Sequence, residues 1–177
     1  HHVGQPVAVV LATDAAAARR AREAVVLEVE RRPAITDARE AARQGHLLVP
    51  ARTFACGDAD AALARCAHVV RGRVRTGAQE HFYLETQGAL AEPGEHGAVV
   101  VHSSTQSPTG VQRQVARVLD LPMHAVQVDV RRLGGAFGGK EDQATPWAVI
   151  CALGARATGR PVRLVLDRRE DLAMTGK

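Results

Sequence analysis

Val126-Gln127-Val128-Asp129-Val130 leads through Arg131-Arg132-Leu133 into Gly134-Gly135-Ala136-Phe137-Gly138-Gly139-Lys140-Glu141. The first five residues alternate apolar and polar as a half-buried strand does, and Ala144 to Ala157 reads as an apolar helix. A glycine-rich turn therefore joins a strand to a helix. Four glycines in six positions ask for positive φ or close backbone approach, because only a residue without Cβ accepts either at no steric cost. A plain chain reversal would also use glycine, but it has no need of two glycine pairs around a phenylalanine. The helix beyond turns its free N–H groups and positive dipole end back toward the turn, which suits an anionic or electron-rich guest.

The nearest generic pattern is the phosphate loop G-x-x-x-x-G-K-[ST], and Gly134 to Lys140 matches its first seven positions. Position eight fails: Glu141 stands where a hydroxyl would hold magnesium, and its carboxylate would repel a triphosphate. The dinucleotide fingerprint G-x-G-x-x-G fails too, since no glycine lies two residues after Gly134 or Gly135. The turn calls for another guest.

Composition sets the outer limits. The 177 residues suit one domain or one and a half. At 46% hydrophobic and 24% charged the chain is ordinary for a globular protein, and with 3% aromatic residues Ala, Val and Leu must carry the packing. The net charge of +4 comes from arginines scattered among acids, as in Arg19-Arg20-Ala21-Arg22-Glu23, with lysine only at Lys140 and Lys177. That scatter argues against a nucleic-acid surface and for solvated helix faces. Cys56, Cys66 and Cys151 are odd in number and lack C-x-x-C spacing, so core thiols in a reducing, cytoplasmic setting are expected. No apolar run reaches the roughly 18 residues of a membrane span, no signal peptide opens the chain, and the histidines form no ligand pair. His1-His2 is either a tag remnant or the natural lead into Val3-Gly4-Gln5-Pro6.

Along the chain, Val7–Leu11 reads as a buried strand, Thr13 or Asp14 as a helix cap, Ala15 to Ala24 as a helix and Val25 to Glu30 as a returning strand, closing a β-α-β unit. Pro33, Gly45 and Pro50 break the stretch from Arg31 to Gly57, where a domain boundary is expected. A short helix over Asp58 to Arg65 follows, then strand-like runs at His68 to Arg75, Phe82 to Ala91 and Ala98 to Ser103. Pro108 opens a helix to Leu119 that Pro122 stops. After the turn and its helix, Val162 to Leu166 forms a strand and Asp167 to Ala173 a helix, ahead of Gly176-Lys177. Strands in a run, then helices and strands in alternation, give an α+β class.

Gly77-Ala78-Gln79-Glu80-His81-Phe82-Tyr83-Leu84-Glu85-Thr86 gathers an amide, carboxylates and an imidazole with half of the chain's Phe and Tyr residues. Alone it could line a solvated edge strand. Gln79 to Thr86 followed about fifty residues later by Gly134 to Glu141, however, closely resembles the molybdenum-binding subunit of xanthine dehydrogenases, in the xanthine oxidase and aldehyde oxidase family. Val3-Gly4-Gln5-Pro6-Val7-Ala8, Gly159-Arg160-Pro161-Val162-Arg163 and Leu166-Asp167-Arg168-Arg169-Glu170-Asp171 look like the same family, so the likeness covers nearly the whole chain.

The resemblance implies a molybdenum–molybdopterin cofactor here, with 2Fe-2S centres and FAD on partner domains or subunits. Gln79 matches the glutamine whose amide hydrogen-bonds an oxygen ligand of molybdenum. Phe137 matches the turn residue whose backbone lies beside the metal, while Gly135 and Gly138 match those that let the pterin dithiolene come close. Glu141 matches the substrate-binding carboxylate that reads a purine edge, as acceptor when ionised and donor when protonated; aldehyde-oxidising relatives tend to be apolar there. The implied reaction is hydroxylation of hypoxanthine- or xanthine-type purines with water-derived oxygen, electrons leaving through Fe–S centres to FAD. Ala78 and Ala136 depart from the family pattern by standing where many relatives have glycine.

The resemblance also implies a fragment. Residues 1–50 would be the C-terminal part of an α/β hammerhead domain, and 51–177 the N-terminal part of a molybdopterin-binding α+β domain. The family's second anchor, an arginine, and its general base, a glutamate, would lie beyond Lys177, so no catalytic residue is assigned in this chain and it is expected to be inactive alone. Its expected partners are the rest of its own subunit, the Fe–S and FAD parts and a purine, with no nucleic acid and no membrane. Apolar faces meant for neighbours predict self-association. Two rival classes stand beside this reading: a nucleotide- or phosphate-binding module on the glycine turn, and a non-catalytic scaffold descended from the oxidase.

Overall fold

The computed structural model describes residues 4–175; His1-His2-Val3 and Gly176-Lys177 lie outside the described residues. Two compact units emerge, one taking in the described residues up to Val25 and from Gly77 onward, the other Val26–Thr76. The second has α2 (Ala38–Arg43) and α3 (Ala59–Ala64), capped by the side chains of Asp37 and Asp58, and is otherwise irregular. None of its residues is buried, so little apolar packing holds it.

The first unit begins with α1 (Ala15–Glu23), capped by Asp14, whose carboxylate accepts from the Ala17 N–H at 2.7 Å. Its core is a four-stranded sheet of order β3-β2-β1-β4, built from β1 (Gly88–Pro93), β2 (Val99–Ser103), β3 (Val126–Asp129) and β4 (Val162–Val165). β1 runs antiparallel to β2 and β4, and β2 parallel to β3. α4 (Pro108–Leu119) and α5 (Thr145–Thr158) pack on the sheet, and α6 (Arg168–Met174) follows β4. The fold is α+β, as the order of elements implied.

The packing follows from alternation and from small side chains. Ala89 and Ala91 of β1 and Val99 and Val101 of β2 are buried, while their neighbours are only partly so. Against them lie Val111, Val115 and Leu119 of α4 and Ala148, Cys151, Ala152 and Ala155 of α5. Alanine offers little apolar area, so α5 gains by close approach. The Cys151 Sγ reaches the Ala89 carbonyl at 3.4 Å. α4 runs from Pro108 to Leu119 as its sequence predicts, and ends on Asp120, which adopts left-handed φ 52° while the Leu121 N–H caps the Ala116 carbonyl.

Several expectations fail for one reason: a strand needs a hydrogen-bonded neighbour, and an apolar run does not supply one. Val7–Leu11 is irregular and, apart from the half-buried Val10, exposed, with Val7 at 70%. Val25 to Glu30 and His68 to Arg75 are irregular too, so no β-α-β unit forms. The strand expected over Phe82 to Ala91 starts only at Gly88, and 79–86 is a folded loop, not an edge strand. Cys151 is a core thiol, but Cys56 and Cys66 are exposed. No helix among the described residues is long and apolar enough to cross a membrane.

Candidate functional site

The register brings four connecting segments to one end of the sheet. β1 starts there, because Ala89 pairs with Ser103 and Gly88 with Val165; β2, β3 and β4 end there, with His102 beside Asp129. Residues 79–87, 104–107, 130–141 and 166–171 therefore converge, although they are far apart in sequence.

The glycine turn carries the conformations its sequence demanded. Gly135 and Gly138 have φ of 93° and 91°. Between them Phe137 sits at φ 52° with its side chain outward, the residue being 75% exposed. Phe82, on the facing loop, is likewise left-handed at φ 46° and 67% exposed. Such a backbone costs a bulky residue about 1–3 kcal/mol and persists where its surroundings over-determine it, often at a functional site. Gly139 has ordinary φ but no room: a Cβ there would stand 2.8 Å from the His81 ring and 2.9 Å from that of Tyr83. The N–H groups of Gly135, Ala136 and Phe137 meet no acceptor among the described residues, leaving a run of donors on the turn.

The turn is bound to its neighbours through polar contacts. Glu85 accepts from the Gly134 N–H at 2.9 Å and donates its own N–H to the Gly134 carbonyl at 3.0 Å. Gln106 accepts from the Gly138 and Lys140 N–H groups at 3.1 and 3.3 Å, and its N–H reaches the Lys140 carbonyl at 2.9 Å. The fully buried Gln87 donates to the Gly139 carbonyl at 2.8 Å and to the Tyr83 hydroxyl at 3.1 Å. From the far end of the chain, Asp171 accepts from the Tyr83 hydroxyl and the Gln87 N–H, and Arg168 donates to the Tyr83 and Leu84 carbonyls.

At the centre stands Lys140, with no exposed surface. Its ammonium donates to the Glu85 carbonyl at 2.6 Å, Ser104 Oγ at 2.7 Å and Glu85 Oε2 at 3.2 Å, and lies 4.4 Å from the centre of the Tyr83 ring. Burial lowers its pKa, and the Glu85 carboxylate only partly restores it. Burial would raise Glu85, but hydrogen bonds from Ser104 and Gly134 and the charge of Lys140 outweigh it and hold that carboxyl below its ordinary range. For Tyr83, burial first and then the Asp171 hydrogen bond and charge push the phenol to about 12.

Gly135, Phe137 and Gly138 thus share one turn, which faces the loop bearing His81, Tyr83 and Glu85. Gln79 and Glu141 are both exposed, and no hydrogen bond or ion pair ties either to a described residue. Sequence reasoning missed the connecting set: Glu85, Gln87, Ser104, Gln106, Lys140, Arg168 and Asp171. A faint signal existed in the polar run Ser103-Ser104-Thr105-Gln106-Ser107, which follows Val99-Val100-Val101-His102. Among the described residues no group of three His, Cys, Asp or Glu side chains is placed to hold a metal ion.

Against known proteins, residues 39–177 match the family described as the molybdopterin cofactor-binding domain. Xanthine dehydrogenase from Emericella nidulans is 42% identical over 175 residues, 98% of this chain. Aldehyde oxidase 2 from Cavia porcellus is 38% identical over a similar span. The chain spans only 13% of the length of each of these relatives. Among solved structures, quinoline 2-oxidoreductase from Pseudomonas putida 86 superposes with a TM-score of 0.75 at 32% identity, covering 94% of this chain and 22% of that one.

Proposed function

The chain belongs to the molybdopterin cofactor-binding domain family, and from that premise we propose that it forms part of a molybdenum hydroxylase acting on xanthine- or hypoxanthine-type purines. Within it, residues 1–50 close an α/β hammerhead domain and 51–177 open the cofactor-binding domain. The observation that carries the reading is the turn itself: N–H groups of Gly135, Ala136 and Phe137 that meet no acceptor among the described residues, held in left-handed backbone at Gly135 and Phe137, form a ledge that fits an electron-rich cofactor.

When bound, the molybdenum cofactor supplies the two-electron redox chemistry and water activation for hydroxylation. The chain supplies position. With the cofactor in place, Gln79 would offer it a side-chain amide, Phe137 and Gly138 would present backbone to it, and Gly135 would keep the ledge free of side-chain bulk. Glu141, exposed and without a partner among the described residues, would accept from a purine N–H or, when protonated, donate to a ring nitrogen. The general base comes from outside this chain, as do the 2Fe-2S centres and FAD, and the enzyme works in the cytoplasm. Relatives named for xanthine, aldehyde and quinoline chemistry share this domain, so the substrate choice rests on Glu141 and not on the fold.

The phosphate-loop alternative requires Lys140 to reach its guest, and here that ammonium is enclosed and fully engaged with Glu85 and Ser104. The test compares wild type and Glu141→Ala in the intact enzyme containing this chain. Molybdenum at one per subunit and urate from xanthine are expected. The variant should lose at least about tenfold in kcat/KM for xanthine while keeping aldehyde turnover, because only the purine leaves a polar edge unpaired. A metal-free enzyme that binds no purine would leave the non-catalytic scaffold, and equal losses on both substrates would refute the role of Glu141.

A further inference from the structure

We propose that Lys140 is a positioning residue: by tying the glycine turn to the 79–87 loop through Glu85 and Ser104, it sets where the backbone of Phe137 and Gly138 stands. The inference rests on the cofactor-binding reading above for its consequence, but not for its geometry.

Three observations carry it. First, the lysine is oriented away from the ledge on which its turn opens. Among the described residues its ammonium hydrogen-bonds Glu85 and Ser104, on two other segments, and no residue of its own turn. Second, Glu85 serves both ends of the tie: its Oε2 accepts from the Lys140 ammonium and the Gly134 N–H, while its N–H donates to the Gly134 carbonyl. The turn is thus gripped at its first glycine and at its lysine. Third, between those grips Phe137 is left-handed at φ 52°, a conformation that a residue with a side chain keeps only where its surroundings hold it, and the glycines on either side, free to rotate at no steric cost, cannot hold it. Gln106 adds a brace on the Gly138 and Lys140 N–H groups, but as a neutral amide it cannot replace a charge-assisted tie. Lysine at this position therefore acts through the backbone it holds and not by touching the guest.

The experiment uses the intact enzyme containing this chain, as wild type, Lys140→Met, Glu85→Gln and the double variant. It reads molybdenum per subunit and amide hydrogen exchange, the latter in both cofactor-loaded and cofactor-free protein. Lys140→Met should speed exchange at Glu85, Gly134, Gly138 and Lys140 by at least about tenfold, leave β1 and β2 protected, and lower molybdenum occupancy several-fold. Glu85→Gln in the Lys140→Met background should restore part of both, because no carboxylate is then left without its counter-charge. If Lys140→Met does not fold, Ser104→Ala, which removes one acceptor, should give a smaller change in the same amides. Unchanged exchange and occupancy in Lys140→Met, unchanged exchange in Ser104→Ala, or loss of sheet protection alongside the turn with no rescue in the double variant would each overturn the proposal. Wild-type enzyme without molybdenum would instead refute the cofactor reading, while the exchange measurements on cofactor-free protein would still decide whether the tie exists.

Discussion

Tyr83, the chain's single tyrosine, is 1% exposed, hydrogen-bonded to Asp171 and overlain by the Lys140 ammonium. Its phenol, pushed to about 12, gives a clean pH test because no second tyrosine titrates. An unfolded tyrosine ionises near 10, so between about 10 and 12 the native state holds a proton that the unfolded state has lost. The stability this contributes, about 2–3 kcal/mol, is complete below about pH 10 and disappears as pH rises through about 12. Tyrosinate absorbance of the folded protein should therefore rise near pH 12 and coincide with weakening toward urea; a folded-state midpoint near 10 would show that the hydroxyl is not enclosed. At this same scale, the need for glycine at 135 and 138 was legible in the sequence, because positive φ is a property of the residue alone. The need at 139 was not, since it comes from two rings more than fifty positions earlier.

Among the elements, α6 shows how local chemistry serves a distant site. Asp167 and Glu170 form a reciprocal capping box: the Asp167 carboxylate accepts from the Glu170 N–H at 2.8 Å, and the Glu170 carboxylate from the Asp167 N–H at 3.0 Å. The box starts a seven-residue helix that delivers Arg168 to the Tyr83 and Leu84 carbonyls and Asp171 to Tyr83 and Gln87. A helix this short is marginal by itself, so its start matters. Asp167→Ala should cost about 1 kcal/mol, read as a lower urea midpoint, and should bring the Tyr83 phenol partway back toward its ordinary value as Asp171 loosens. A stability loss with no change in tyrosinate titration would separate the cap from the site. The exposed Arg22–Glu170 pair at 2.9 Å adds at most about 1 kcal/mol on such a surface.

For the molecule as a whole, the distribution of burial decides behaviour. The sheet and α4 and α5 form a closed apolar core, whereas in Val26–Thr76 Val26, Leu48, Phe54, Val70 and Val74 are each at least 87% exposed. Apolar surface on that scale seeks cover, and the 177-residue chain by itself should self-associate as its concentration rises, seen as growing mass in light scattering. A monomer at every concentration would count against this.

What the sequence by itself determined is what depends on near neighbours along the chain. The alternation of β3, the apolar runs of β2 and α5, the proline start of α4, a helix cap at Thr13 or Asp14, the short helix that begins near Asp58 and the conformational demands of Gly135 and Gly138 are all local, and the two motifs that carry the family resemblance are each read from contiguous residues. What only the tertiary structure decided is pairing. Val7–Leu11 is as apolar as a strand but pairs with no strand among the described residues, and the cysteines read as core thiols are divided by packing into one buried and two exposed. The partner of Lys140 lies 55 residues away in Glu85, and that of Tyr83 88 residues away in Asp171. No periodicity reports contacts across such separations; they exist because three antiparallel and parallel pairings bring one strand's start and three strands' ends to the same edge of the sheet.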